Sequence, residues 1–204
     1  LTKGLYIAFE GVEGSGKSTH LKFAAEHLKS LNADVVCTVE PGATELGKKL
    51  RELVLHHEMD PLTELFLYSA DRREHIKQVV LPALSSGKVV LSDRCFLSTI
   101  AYQGYGRGIE LSLIEKLCET STDGIKPHLI IVFDLDIEEA LKRCGITDRI
   151  ERESVEFHER VRKGYLKEAQ KRSNIVVIDS SQPKEKVKEE VARLISSLMK
   201  GGAL

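Results

Sequence analysis

Five short runs along the 204-residue chain are apolar almost without interruption: 5–10, 34–40, 88–92, 129–135 and 175–179. Stretches such as "LIIVFD" and "NIVVID" are rich in β-branched residues and do not alternate with polar ones. Strands of that kind are buried on both faces, as in a parallel sheet covered by helices. Between them, the segments 18–31, 44–56, 61–85, 96–104, 110–123, 137–144, 153–172 and 183–199 read as helices. Leu21, Ala24, Ala25, Leu28 and Leu31 form one helical stripe, and Val187, Val191, Leu194, Ile195 and Leu198 another. In 153–172, Phe157, Val161, Tyr165 and Ala169 align, with Arg160, Arg162, Lys163 and Lys167 between them as a solvated face. The pattern predicts a single α/β domain over 1–204, with five parallel strands and no repeat or linker.

Several strands end on an acid: Glu10, Glu40, Asp93, Asp134 and Asp179. In an open α/β sheet, ligands sit outside the carboxyl ends of the strands. Those acids are therefore expected at or near a site, some of them in structural roles.

Composition narrows the partners. Apolar residues make up 42% and charged residues 30%, with a net charge of −1. That balance points away from a nucleic-acid polymer or an anionic membrane surface. No apolar stretch approaches the roughly 18 residues of a spanning helix, and the start has no signal-peptide layout. Cys37, Cys95, Cys118 and Cys144 are scattered without a C-x-x-C pair, so neither a zinc site nor a disulfide framework is implied. The expected location is the cytoplasm.

The first specific chemistry lies in "AFEGVEGSGKSTHLK", residues 8–22. Gly11, four residues, Gly16, Lys17 and Ser18 fit G-x-x-x-x-G-K-[ST], a phosphate-binding P-loop. It follows a strand pattern and opens a helical one, the context the motif requires. Glycines let the backbone aim N–H groups inward, and the helix presents its positive end to an anion. Gly11, Val12, Glu13, Gly14, Ser15, Gly16, Lys17, Ser18 and Thr19 are thus assigned to a nucleoside triphosphate, which the resemblance described below makes ATP. Lys17 is expected on the outer phosphates, with Ser18 and Asp93 as the expected Mg²⁺ positions. A GTPase switch would show N-K-x-D and D-x-x-G, and neither string occurs. A small kinase with a second pocket remains. "LYSADRREH" sets Tyr68 and Arg72 four apart on one helical face. That pair reads either as a platform for a base or as a core tyrosine beside an ion pair.

Taken together, "FEGVEGSGKST", "TVEPGATELGKKLRELVL", "LFLYSADRREH", "DRCFLSTIAYQGYGRG" and "DRIERESVEFHERVRKGYL" resemble the thymidylate kinase family, in this order and over nearly the whole chain. The resemblance implies a P-loop NTPase of nucleoside monophosphate kinase type, a five-stranded parallel sheet, and a lid at about 141–152. It implies Mg²⁺-dependent phosphorylation of dTMP to dTDP by ATP, in a homodimer. A P-loop kinase of another small acceptor, such as a deoxynucleoside or a different monophosphate, is the alternative.

The family's roles fall on matching positions. Tyr68 matches the aromatic that stacks on thymine, and Arg72 the arginine on the base. Thr99 and Gln103 lie where polar base contacts arise, and Tyr102 matches the tyrosine near C2′. Arg94 matches the arginine on the acceptor phosphate, and Glu13 the carboxylate near the sugar 3′-hydroxyl. The chain departs from the family pattern at Val39, in place of arginine, and at Ala43, in place of glycine. Cys95 and Cys144 depart too, the latter standing just before Gly145. No arginine lies inside the P-loop, so the further cation is expected from the lid, as in the bacterial type. Arg149 and Arg143 are the catalytic candidates there, and Arg152 is a third.

Overall fold

The computed structural model describes residues 4–144 and 148–201. Its strands are β1 (Leu5–Glu10), β2 (Val35–Val39), β3 (Val89–Asp93), β4 (Leu129–Asp134) and β5 (Ile175–Asp179). They form one sheet in the order β2-β3-β1-β4-β5, with every pair parallel. β1 is central, and Ile7 lies opposite Leu91 on one side and Leu129 on the other. Successive side chains of a strand point to opposite faces. Ile7 and Phe9 accordingly enter the layer under α1 (Lys17–Ser30) and α9 (Lys184–Met199), with Leu28, Val191 and Ile195. Ala8 enters the other layer, with Leu65, Leu97, Val161 and Tyr165.

That second layer is built by α3 (Pro61–His75), α5 (Phe96–Thr99), α6 (Leu111–Thr122) and α8 (Val155–Lys171). The remaining helices are α2 (Glu45–His56), α4 (Leu81–Ser85) and α7 (Ile137–Arg143). Local chemistry sets their starts. Thr44 accepts from the Gly47 N–H, Asp60 from Leu62, Asp136 from Glu138, and Ser154 from Phe157.

The expected helices at 61–85 and 96–104 each contain a wider, π-helical stretch, Ile76–Val80 and Ile100–Gly106. The first leads into Pro82, which has no N–H and whose ring would press on the carbonyl four residues back in a regular helix. The second runs on beyond the expected end and carries Tyr102 and Gln103, both buried. Widened turns of this kind are frequent at functional sites.

β2 and β3 lie on one side of β1, and β4 and β5 on the other. The carboxyl end of β1 therefore opens into the crevice where such sheets bind ligands.

Candidate active site

The loop after β1 occupies that crevice. Gly11 has φ 137° and Gly14 has φ 76°, a backbone that L side chains rarely adopt. A Cβ on Gly14 would also lie 2.3 Å from the Ala140 carbonyl oxygen. So α7 packs directly on the loop. The amino terminus of α1 has no side-chain cap and no acid in its first turn. Its N–H groups and positive dipole are left for an anion. Lys17 Nζ donates to the Val12 carbonyl at 2.9 Å and lies 3.4 Å from Glu13 Oε2. Burial, with Arg94 second, lowers its pKa. Ser18 Oγ donates to Asp93 Oδ2 at 2.9 Å, which joins the P-loop to the end of β3.

Arg94 is the next residue, with φ 73°. Its Nη1 reaches the Gly11 carbonyl at 3.1 Å, Ser98 Oγ at 3.0 Å and the Tyr165 hydroxyl at 3.2 Å. Its Nη2 pairs with Glu13, and its guanidinium sits 5.2 Å from the Tyr102 ring centroid. The Arg94 charge, followed by Lys17, holds the Glu13 carboxyl far below the usual carboxylate range. Beneath lies Glu10, fully buried. It accepts from the Cys95 N–H at 2.8 Å, the Ser98 N–H at 3.1 Å, Ser98 Oγ at 2.6 Å and the Tyr165 hydroxyl at 2.9 Å. Burial raises the pKa of Glu10, against the pull of Arg94.

A cavity runs from Arg94 and Glu13 to Tyr68, Arg72 and Thr99. Arg72 is 1% exposed. Its Nε donates to Glu40 Oε1 at 2.7 Å and its Nη2 to Thr99 Oγ1 at 2.7 Å. The other Glu40 oxygen meets His75 Nδ1 at 3.1 Å. Burial opposes the Arg72 charge, but Glu40 outweighs it and the pKa rises. Tyr68, one turn before Arg72, borders the cavity half-buried, and burial pushes its hydroxyl pKa well up. Gln103 Nε2 donates to Glu64 Oε1 at 2.7 Å.

Glu64 is a second buried junction. It binds Arg107 at 3.1 Å and Arg149 at 2.6 Å. Arg149 also donates to the Val54 carbonyl at 2.9 Å, and its N–H to Leu55 O at 2.9 Å. The structure thus holds Arg149 on Glu64 and the end of α2, behind Leu55 and Gln103 of the cavity lining, and among the described residues its hydrogen bonds go there and not to the P-loop. Arg143 is 41% exposed and pairs with Glu139 on α7. Cys144, next along, comes close enough that its Sγ would lie 2.9 Å from a Cβ on Gly14. Arg152 is exposed. Residues 145–147 of the expected lid, Gly145 among them, lie outside the described residues.

Several participants carry no motif of their own. Tyr165 reads as core in the helical stripe, yet its hydroxyl joins Glu10 to Arg94. Glu40 and Glu10 show only as strand-ending acids. Arg51 stands inside the segment "TVEPGATELGKKLRELVL" with no role read for it, yet it borders the cavity and donates to the Pro41 carbonyl at 2.9 Å. Val39, where the family has arginine, pairs in register with Asp93.

A sequence profile described as Thymidylate kinase matches residues 9–191. A thymidylate kinase of Pelotomaculum thermopropionicum is 43% identical, covering 98% of this chain and 99% of its own. One from Nostoc punctiforme is 45% identical, covering 97% and 98%. One from Halothermothrix orenii is 43% identical, covering 93% and 95%. The crystal structure of thymidylate kinase from Ehrlichia chaffeensis superposes with a TM-score of 0.78 at 36% identity, covering 94% of this chain and 98% of that one.

Proposed function

The chain belongs to the thymidylate kinase family, and we infer that it transfers the terminal phosphoryl group of ATP to dTMP, giving dTDP and ADP. The observation that carries this reading is the position of Arg94. Its guanidinium touches the Gly11 carbonyl of the P-loop and borders the cavity that holds Tyr68, Arg72 and Thr99. A cation between a phosphate cradle and a base pocket suits a reaction that passes a phosphoryl group from one nucleotide to another.

The P-loop backbone and Lys17 bind the donor phosphates, Arg94 holds the acceptor phosphate, and Tyr68 and Arg72 engage the base. A phosphate monoester has a second pKa of about 6, so near neutral pH the acceptor is mostly a dianion and needs no general base. The protein's task is positioning and charge neutralisation. Ser18 and Asp93 offer hard oxygen donors 2.9 Å apart, a set suited to Mg²⁺ shared with phosphate oxygens and water. When bound, Mg²⁺ neutralises charge on the donor phosphates. Of the lid arginines, Arg143 is the one we assign to the moving phosphate. It is exposed, paired at the surface with a similarly exposed Glu139, and adjacent to the contact between α7 and the P-loop. Arg149 we assign to the pocket wall.

We read the chain as one domain, and the four free thiols suit a reducing cytoplasm. Among the described residues, no helix is long and apolar enough to cross a membrane. For a homodimer, the face we favour is that of α2, α3 and α6, where Leu53, Leu62, Phe66 and Leu113 are exposed. An ADP-release assay across dTMP, dUMP, UMP, CMP, AMP and thymidine tests the activity. Fastest turnover of dTMP is expected; a preference for thymidine or AMP would overturn the assignment in favour of another acceptor.

A further inference from the structure

One polar atom at the site has no use in the mechanism above. His158, on α8, is 6% exposed, and its Nε2 is buried with no hydrogen-bond partner. The residue lies on the wall between two cavities, the acceptor cavity and a smaller one under α7. A buried, unpaired polar atom costs stability, typically about 1–3 kcal/mol, unless something satisfies it.

The chemistry of the missing partner can be narrowed. The ring makes a hydrogen bond with the Glu151 backbone that favours the protonated ring, so a ring N–H donates there. Nε2 is the nitrogen without a partner, so we assign that proton to Nδ1. Burial lowers the pKa of the imidazole and keeps it neutral near pH 7. Nε2 is therefore a bare acceptor and needs an O–H or N–H donor. The surroundings exclude an anion, because Glu13, Asp148 and Glu151 border the same corner. The smaller cavity, about 20 Å³, is bordered by Glu13, Cys144, Glu151 and His158. Val12, Ile137, Ala140 and Leu141 close its other side, so the two to four polar partners that one water of that size requires all stand on the side of Glu13, Glu151 and His158.

The rest follows if the acceptor is dTMP, as inferred above. That molecule offers two donors, the thymine N3–H and a single hydroxyl at C3′. The base end of the pocket is at Tyr68 and Arg72, away from the corner made by Glu13 and Glu151. We propose that His158 is a specificity-determining positioning residue which, through one water held in the smaller cavity, helps fix the acceptor's 3′-hydroxyl against Glu13. The hydroxyl donates to Glu13 and accepts from the water, and the water donates its other proton to Nε2.

The test is binding of dTMP and its 3′-deoxy analogue, measured by calorimetry on wild type, H158M, H158F and H158Q. Wild type should prefer dTMP. H158M and H158F should lose about 5- to 10-fold of that preference, with affinity for the analogue unchanged. H158Q, whose amide restores an acceptor, should recover most of the loss. Two apolar variants are included so that one misfolded protein does not decide the matter. An unchanged preference in either folded apolar variant would overturn the proposal, as would equal weakening of both ligands, the mark of a purely structural role. Protein that binds dTMP but does not turn it over would defeat the proposed activity while leaving this test intact. Protein that binds neither ligand would defeat both.

Discussion

The donor and acceptor halves of the cleft are built from different materials. On the side we assign to the donor, the groups offered are main-chain N–H groups of one continuous loop, shaped by Gly11 and Gly14 and completed by one buried lysine. On the acceptor side they are side chains from α3, the π-helical stretch and the lid, held by buried carboxylates. Glu40 fastens Arg72 and His75, Glu64 fastens Gln103, Arg107 and Arg149, and Glu10 fastens Cys95, Ser98 and Tyr165. A backbone cradle depends on few side chains. A cavity held by shared carboxylates makes each side chain depend on its neighbours.

The largest effect should come from Lys17→Ala, which removes the buried cation we assign to the donor phosphates. Turnover should fall by at least about 10³-fold while dTMP binding stays measurable by titration. Near-normal activity would show that the loop does not bind the donor.

Two lid arginines then divide the halves. Arg143→Ala should lower kcat by at least about 100-fold and leave the melting temperature almost unchanged, since its exposed pair is worth little. Arg149→Ala should instead destabilise the fold by about 3 kcal/mol and raise KM for dTMP, because Glu64 loses a buried partner. Chemical denaturation and steady-state kinetics on both variants check this. If Arg149→Ala were fully stable with a collapsed kcat, the cation would belong to the donor half and the contrast drawn here would fail.

Tyr68→Ala sharpens the acceptor half alone. Loss of a stacking face worth about 1–3 kcal/mol should raise KM for dTMP some 5- to 150-fold and spare KM for ATP. An unchanged KM for dTMP would make Tyr68 simply a packed residue.

The smallest effect concerns Asp71, which is buried, with Oδ1 accepting from the Gly42 N–H at 3.0 Å and Oδ2 unpartnered. Burial, and Glu40 after it, push its pKa up to about 6. A carboxyl with a raised folded-state pKa stabilises most below its ordinary value near 4 and loses that contribution as pH rises through about 6. Wild type should therefore lose on the order of 1–3 kcal/mol between those limits. Asp71→Asn, which keeps the carbonyl oxygen for Gly42, should flatten that dependence in denaturation measured from pH 4 to 7. An equally steep profile in the variant would place the titration elsewhere.

This division also explains what could be read in advance. The five strands lie within a residue of the apolar runs, because continuous burial leaves a one-dimensional trace. The P-loop is legible for the same reason, since its parts are consecutive. The strand-ending acids show the limit. They share a position in the pattern, but Glu10 and Glu40 are buried beneath the pocket, Asp93 holds Ser18, Asp134 binds Arg162, and Asp179 accepts from Ser181. Glu10, Glu40 and Asp134 take partners from elements that arrive later in the chain, whereas Asp93 takes Ser18 from the earlier α1 and Asp179 takes Ser181 from its own turn. Arg162 and Arg160 make the same point. The charge pattern reads them as a solvated face, yet one pairs with Asp134 and the other donates to the Gly106 carbonyl. The widened turns at Ile76–Val80 and Ile100–Gly106 leave no trace in residue periodicity that separates them from ordinary helix.

Arg94 carries one more consequence. Among the described residues, the non-glycine positions with positive φ are Asn32, Arg94 and Asp123. Asn and Asp visit that region readily, but an arginine there costs roughly 1–2 kcal/mol. Glycine at 94 would relax the backbone and take away the charge. That relief would not come free, because the guanidinium also pairs with Glu13 and lies 3.8 Å from buried Glu10, and leaving those carboxylates without it costs more than the backbone gains. The contacts that hold the strained backbone are the same ones that aim the charge into the cleft. A screen that rewarded thermostability alone would therefore have no reason to discard Arg94.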